Sequence, residues 1–163
     1  MLTPNLPYSH LSRNLRLQLL DMIYESGSGH IGGCLSSLDI LISLYFSDLF
    51  NFNRDHFILS AGHLACALYT VLSAKNYFPS RLLSTYTDFN SLLQGHVSTD
   101  VPGVEYSSGS LGQGLSFAAG LALGDKSHTT VCLTTDGEHQ EGQIWESLMF
   151  AQKYQLSNLI NIV

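Results

Sequence analysis

The chain has 163 residues, 45% hydrophobic and only 12% charged, where soluble chains average about 25% charged. That length suits one domain, and that composition excludes a disordered segment; it implies a large core or surface covered by another chain. With 7 Lys+Arg against 13 Asp+Glu the net charge is -6, so no basic patch can neutralise a run of phosphates and nucleic acid is not an expected partner.

The first predicted element is a helix over 9–26, where Leu11, Leu15, Leu19, Leu20 and Ile23 recur at three- and four-residue steps; Ser9 could cap it. Ser26-Gly-Ser-Gly29 breaks it. A second helix is expected from Ser36 or Ser37 to about Phe50, then a polar turn over 51–55 and a short buried strand at Phe57–Ser60. A helix over 64–75 and a short one over 79–88 follow. Residues 89–110 carry little periodicity and read as a long loop, which in a compact domain tends to be functional. A small-residue helix opens at Leu111-Gly-Gln-Gly and runs to Leu123. The β-branched run Thr129–Thr134 predicts a central strand, Gln143–Tyr154 a helix with Ile144, Leu148 and Ala151 on one face, and Leu159–Val163 a further strand. Strands alternating with helices predict an α/β fold with a doubly wound parallel sheet. The apolar strand at the end leads us to expect more chain or a partner beyond Val163.

No stretch reaches 18 uninterrupted apolar residues, and the N-terminus lacks a charged segment followed by an apolar one, so neither a membrane span nor a signal peptide is expected. Cys34, Cys66 and Cys132 are widely spaced and form no CxxC pair, which fits free thiols in a reducing cytoplasm.

Three features could carry chemistry. Gly-His occurs three times, at Gly29-His30, Gly62-His63 and Gly95-His96, each at a junction or in a loop. Imidazole can donate a hydrogen bond to phosphate, bind a metal or move protons near neutral pH. Three unconnected structural histidines are the plain alternative. His10, His56, His128 and His139 lack this context and read as surface residues. Second, Thr135-Asp136-Gly137-Glu-His-Gln-Glu141-Gly142 follows the best strand and precedes a helix. One carboxylate at a strand end, with glycine amides beside it, suits a Mg²⁺ that also holds a diphosphate. An Asp-Gly turn with a capping Glu is the alternative. Third, Ser107-Ser-Gly109-Ser-Leu111-Gly112-Gln113-Gly114 lets backbone approach a ligand or another helix; it is neither a dinucleotide fingerprint nor a Walker A loop. Glu141 could pair with an ion, orient a histidine or lie at a subunit interface, or simply favour a helix N-terminus. Asp39, Asp88 and Glu146 read as structural.

Taken in order and spacing, these motifs resemble the N-terminal, diphosphate-binding domain of transketolases, the split two-chain kind included. The matching segments are Ser28-Gly-His-Ile-Gly-Gly-Cys-Leu-Ser, Asp39-Ile-Leu, Phe57-Ile-Leu-Ser-Ala-Gly-His63, Ala67-Leu-Tyr69, Gly95-His96, Pro102-Gly-Val-Glu105, Gly109-Ser-Leu-Gly-Gln-Gly-Leu115, Asp136-Gly137, Glu141-Gly142 and Trp145-Glu146. The resemblance runs from about residue 10 to Val163 and implies an α/β sheet of the thiamine diphosphate-binding type, incomplete at the C-terminus. Residues 1–163 would form part of that domain, with the pyrimidine-binding and C-terminal domains absent.

The resemblance also implies roles. His30 would face substrate near the thiazolium carbon. His63 and His96 would lie near the diphosphate and the reacting centre. Asp136 would be the first metal ligand, for Mg²⁺ or Ca²⁺, and the Gly137 backbone would touch the diphosphate. Gly109 would lie at the cofactor, Leu111 would pack on the thiazolium ring, and Glu141 would link the two cofactor sites of a dimer. The implied activity is transfer of a two-carbon ketol unit between sugar phosphates in the cytoplasm, as in the pentose phosphate pathway. A pyrimidine-binding domain on the same or a second chain would be needed, so this chain alone is expected to be inactive. Other thiamine diphosphate enzymes (deoxyxylulose-phosphate synthase, one chain of a 2-oxo acid dehydrogenase), a non-catalytic partner and a fragment remain the alternatives. One position departs from the family's Gly-Asp-Gly: Thr135 stands where it has its first glycine, and fits only with ordinary backbone angles. The family's second metal ligand, an asparagine, would fall beyond Val163.

Overall fold

The structure, a computed structural model, describes residues 8–48 and 50–163. Its elements in chain order are α1 (Tyr8–Ser26), α2 (Ile31–Phe46), β1 (His56–Leu59), α3 (Ala65–Ala74), α4 (Gln113–Gly124), β2 (Thr130–Leu133), α5 (Gly142–Lys153) and β3 (Leu159–Ile162). Short 3-10 turns lie at Gly62–Leu64, Ser80–Thr85 and Gly137–Gln140. The chain forms two compact units, one within Met1–Phe50 and His63–Gly103, the other within Asn51–Gly62 and Val104–Val163.

The first unit is helical. The leucine stripe of α1 buries Leu11, Leu15, Leu19, Met22 and Ile23. Helix α3 buries nine of its ten residues, as an element hydrophobic on every side must, and α1, α2 and the 80–85 turn all pack against it. Asp39 on α2 fixes α1 alongside: its carboxylate accepts from Ser12 Oγ and Arg16 Nη2, each at 2.7 Å. The structural reading of Asp39 therefore holds. Two expectations shift. Ser9 lies inside α1, which is already helical at Tyr8. Helix α2 starts at Ile31 rather than Ser36 or Ser37. A Cβ on Gly33 would lie 2.7 Å from Cδ2 of Leu64, whose side chain would have to shift, and Cys34 and Leu38 bury the same turns. Residues 80–85 form a 3-10 helix, within the short helix expected over 79–88.

The second unit holds a three-stranded, all-parallel sheet in the order β1-β2-β3. Phe57 pairs with Val131, and Val131 with Ile160. β2 is the central strand, as its β-branched run predicts, and every residue in it is buried. Helix α4 packs on all three strands, with Leu115 and Ala118 against Ile58, Cys132 and Ile144. Buried Asp55 closes one end of the sheet, accepting from Arg54, the Asn51 amide and the Thr129 amide. Asn158 closes the turn before β3 by donating to the carbonyls of Ala122, Asp125 and His128. The parallel strands alternating with helices bear out the α/β expectation.

Candidate functional site

The predicted site residues fall in both units. In the first, His30 is the N-cap of α2 and His63 sits in the 3-10 turn that leads into α3. Their rings meet edge to face, with centroids 4.9 Å apart, His30 exposed and His63 half-buried. Two of the three Gly-His pairs, 33 residues apart in sequence, are thus brought together. The third is tied to α3 through its backbone: the Tyr69 hydroxyl donates to the His96 carbonyl at 3.2 Å and leaves the His96 side chain on an exposed residue. Behind them lie the buried thiols Cys34 and Cys66. Hydrogen bonding to Cys66, then burial, pushes the Cys34 thiol far up, so it stays protonated.

In the second unit the Asp136-Gly137 turn follows β2. Asp136 and Gly137 are exposed, and the Asp136 carboxylate makes no hydrogen bond or ion pair among the described residues. Thr135 has no positive φ, so the β-branched residue sits in ordinary backbone; its amide donates to Glu138 Oε2 at 3.0 Å. Gly109 is exposed with open space around it, and Leu111 is 37% exposed at the start of α4. The glycines between Leu111 and Leu115 have structural reasons. Gly112 takes φ +83, and a Cβ on Gly114 would fall 2.5 Å from Ser60 Cβ. Close approach of α4 to β1 therefore accounts for Gly114, and an exposed apolar Leu111 is what the turn presents. Glu141 is exposed, the N-cap of α5, with its Cβ against Gly112.

One residue of this turn stands out that sequence reasoning does not single out. Glu138 is 0% exposed. Its Oε1 accepts from Ser60 Oγ at 2.6 Å and from the Gly112 amide at 2.9 Å. It caps the start of α4, 26 residues away, and reaches the end of β1 across 78 residues. No local pattern signals partners that distant. Three histidines expected at the surface also prove engaged. His56 Nδ1 lies 2.5 Å from Glu105, whose other oxygen accepts the Phe57 amide; His128 Nδ1 lies 2.9 Å from Asp125; and the His139 carbonyl accepts the Trp145 indole at 2.9 Å.

Residues 9–163 match the family model described as the transketolase, thiamine diphosphate binding domain. The chain belongs to that family. It is 38% identical, over 93% of its length, to an apulose-4-phosphate transketolase subunit of Phocaeicola vulgatus, and 34% identical over 93% to human transketolase. A transketolase from Leishmania mexicana has the same fold, with a TM-score of 0.83 at 25% identity over 96% of this chain and 27% of its own. The chain spans 58% of the Phocaeicola protein and 26% of the human one.

Membership in the family bears out the recognition made from the ordered motifs and identifies a thiamine diphosphate-binding domain. The donor chemistry fits that cofactor with a divalent metal. Among the described residues no group of three or more His, Cys, Asp or Glu could hold a metal alone. A single free carboxylate is what a hard cation shared with a diphosphate asks of the protein, since Mg²⁺ is commonly held by one or two carboxylates plus phosphate oxygens and waters.

Proposed function

We propose that this chain is the diphosphate-binding part of a transketolase, transferring a two-carbon ketol unit between sugar phosphates once a pyrimidine-binding domain joins it on the same or a second chain. The observation that carries this reading is the Asp136 carboxylate, exposed and without a protein partner among the described residues, in the turn directly after the central strand. Carboxyl ends of parallel strands are where open α/β sheets bind ligands.

In this reading Asp136 supplies one oxygen to Mg²⁺ or Ca²⁺ and the Gly137 backbone approaches the diphosphate. Gly109 leaves room for the cofactor, and Leu111 offers the apolar side chain for the thiazolium ring. Thiamine diphosphate, when bound, supplies the carbanion chemistry, and the protein supplies orientation and electrostatics. His30, His63 and His96 donate hydrogen bonds from ring nitrogens to substrate and cofactor oxygens, and move protons near neutral pH. The 4.9 Å approach of the His30 and His63 rings supports a shared task. Glu141 meets its counterpart's site across a dimer interface. The assembly works in the cytoplasm, in sugar phosphate metabolism of the pentose phosphate kind. No helix among the described residues is long and apolar enough to cross a membrane. A second chain is supported by two observations: the Phocaeicola vulgatus relative is named as one subunit of a transketolase, and α5 exposes Trp145, Met149 and Phe150.

The test is ketol transfer measured with the chain alone and then in the presence of its pyrimidine-binding counterpart. We expect negligible transfer by the chain alone and transfer on mixing. Turnover by the isolated chain at rates typical of enzymes would overturn the division of labour.

A further inference from the structure

We propose that Glu138 is the positioning residue of the metal-diphosphate turn: its buried carboxylate ties Thr135 to the start of α4 and the end of β1, and so holds Asp136 and Gly137 where they act. The inference rests on the functional reading above but stands on its own geometry.

Glu138 is fully buried and has no cationic partner among the described residues. A buried carboxylate without a cation is costly unless hydrogen bonds satisfy it. Here they do, and they come from three separate places. The Gly114 amide donates to Ser60 Oγ at 3.2 Å, and the Ser60 hydroxyl donates onward to Glu138 Oε1 at 2.6 Å. The Gly112 amide donates to the same oxygen at 2.9 Å, and the Thr135 amide to Oε2 at 3.0 Å. Thr135 immediately precedes Asp136, while Leu111 immediately precedes Gly112. One side chain therefore sets both the metal-ligand turn and the segment that presents Leu111. An apolar residue would fill this space at less desolvation cost. It could not hold two backbone segments in register, because it accepts nothing.

The geometry makes the isosteric amide informative. In Glu138→Gln the side chain keeps its shape but has one accepting oxygen and one NH₂. If the oxygen stays with Ser60 and Gly112, the NH₂ faces the Thr135 N–H, and two donors cannot pair. The turn must move although the core is unchanged. Trp145, the only tryptophan, reports on that movement, since its indole is bonded to the His139 carbonyl in the same turn.

The experiment titrates thiamine diphosphate with Mg²⁺ into the parent chain and into Glu138→Gln, and follows Trp145 emission, thermal melting and amide exchange at Gly112, Thr135, Asp136 and Gly137. We expect Glu138→Gln to melt cooperatively, to bind about 10–100-fold more weakly, as loss of a supporting partner does at metal sites, to shift Trp145 emission, and to exchange these amides faster while Leu115 stays protected. Ser60→Ala, which deletes one donor and keeps the carboxylate, should move every readout the same way by less; it decides the matter if Glu138→Gln does not fold. Parent-like binding and exchange in a folded Glu138→Gln, or no change in Ser60→Ala, would overturn the proposal. If the parent does not bind even with its pyrimidine-binding counterpart present, the functional reading fails, and exchange in the ligand-free chain still decides the role of Glu138.

Discussion

Asp136 and Glu138 lie two residues apart in one turn and live in opposite surroundings. Asp136 is exposed and its carboxylate has no partner among the described residues, so removing it costs little stability; surface substitutions usually stay within about 0.5 kcal/mol. Asp136→Ala should therefore melt like the parent, measured by calorimetry, while losing Mg²⁺-dependent cofactor binding. A large drop in melting temperature would show that Asp136 is a structural residue instead. Of the two, only Asp136 was legible in the sequence, because an Asp-Gly after a β-branched strand is a local pattern. Glu138 was not, because its value depends on Ser60 and Gly112, which the fold alone brings near. The same contrast divides the histidines. The repeated Gly-His pairs singled out His30 and His63, whereas the pairing of His56 with Glu105 spans 49 residues and left no mark.

At the scale of elements, strands were easier to read than helix ends. The run Thr129–Thr134 is apolar and β-branched along its length, and β2 lies where it predicts. Helix α2 starts at Ile31, ahead of the expected Ser36 or Ser37, because burial of Cys34, Ser37 and Leu38 outweighs the poor helix propensity of Gly32 and Gly33. The junction of β1 and β2 makes a pH-dependent claim. The Arg54 guanidinium beside Asp55, helped by the Thr129 and Asn51 amides, holds its carboxyl below the usual carboxylate range. A carboxyl with a lower value folded than unfolded adds stability that is fully present above its unfolded value, about 3.9, and is lost as pH falls through the folded value. Melting temperature should thus fall on acidification below about pH 4, and Asp55→Asn should flatten that acid limb while lowering stability at neutral pH. An unchanged acid limb in the variant would assign the loss to other groups. Cysteines make a second claim at this scale. Cys34, Cys66 and Cys132 are all buried, and burial pushes the Cys132 thiol far up. A thiol-reactive dye should find no cysteine in the folded chain and three after unfolding; fast labelling of the native chain would mean that α2, α3 or β2 opens readily.

For the whole molecule, low charge and exposed apolar side chains point the same way. Charged residues are only 12% of the chain, and Trp145, Met149 and Phe150 remain exposed on α5. The composition implies a large core or a surface covered by another chain, and the chain matches only one part of longer relatives. What composition did not carry is the identity of the cofactor, which came from the order of motifs. The measurement that tests the central claim most directly is calorimetric titration of thiamine diphosphate into this chain, with and without Mg²⁺, beside Asp136→Ala. The expected result is binding that requires Mg²⁺ and disappears in Asp136→Ala, with the fold intact. Binding that ignores both the metal and Asp136, or no binding by the folded parent chain even with its pyrimidine-binding counterpart present, would contradict it.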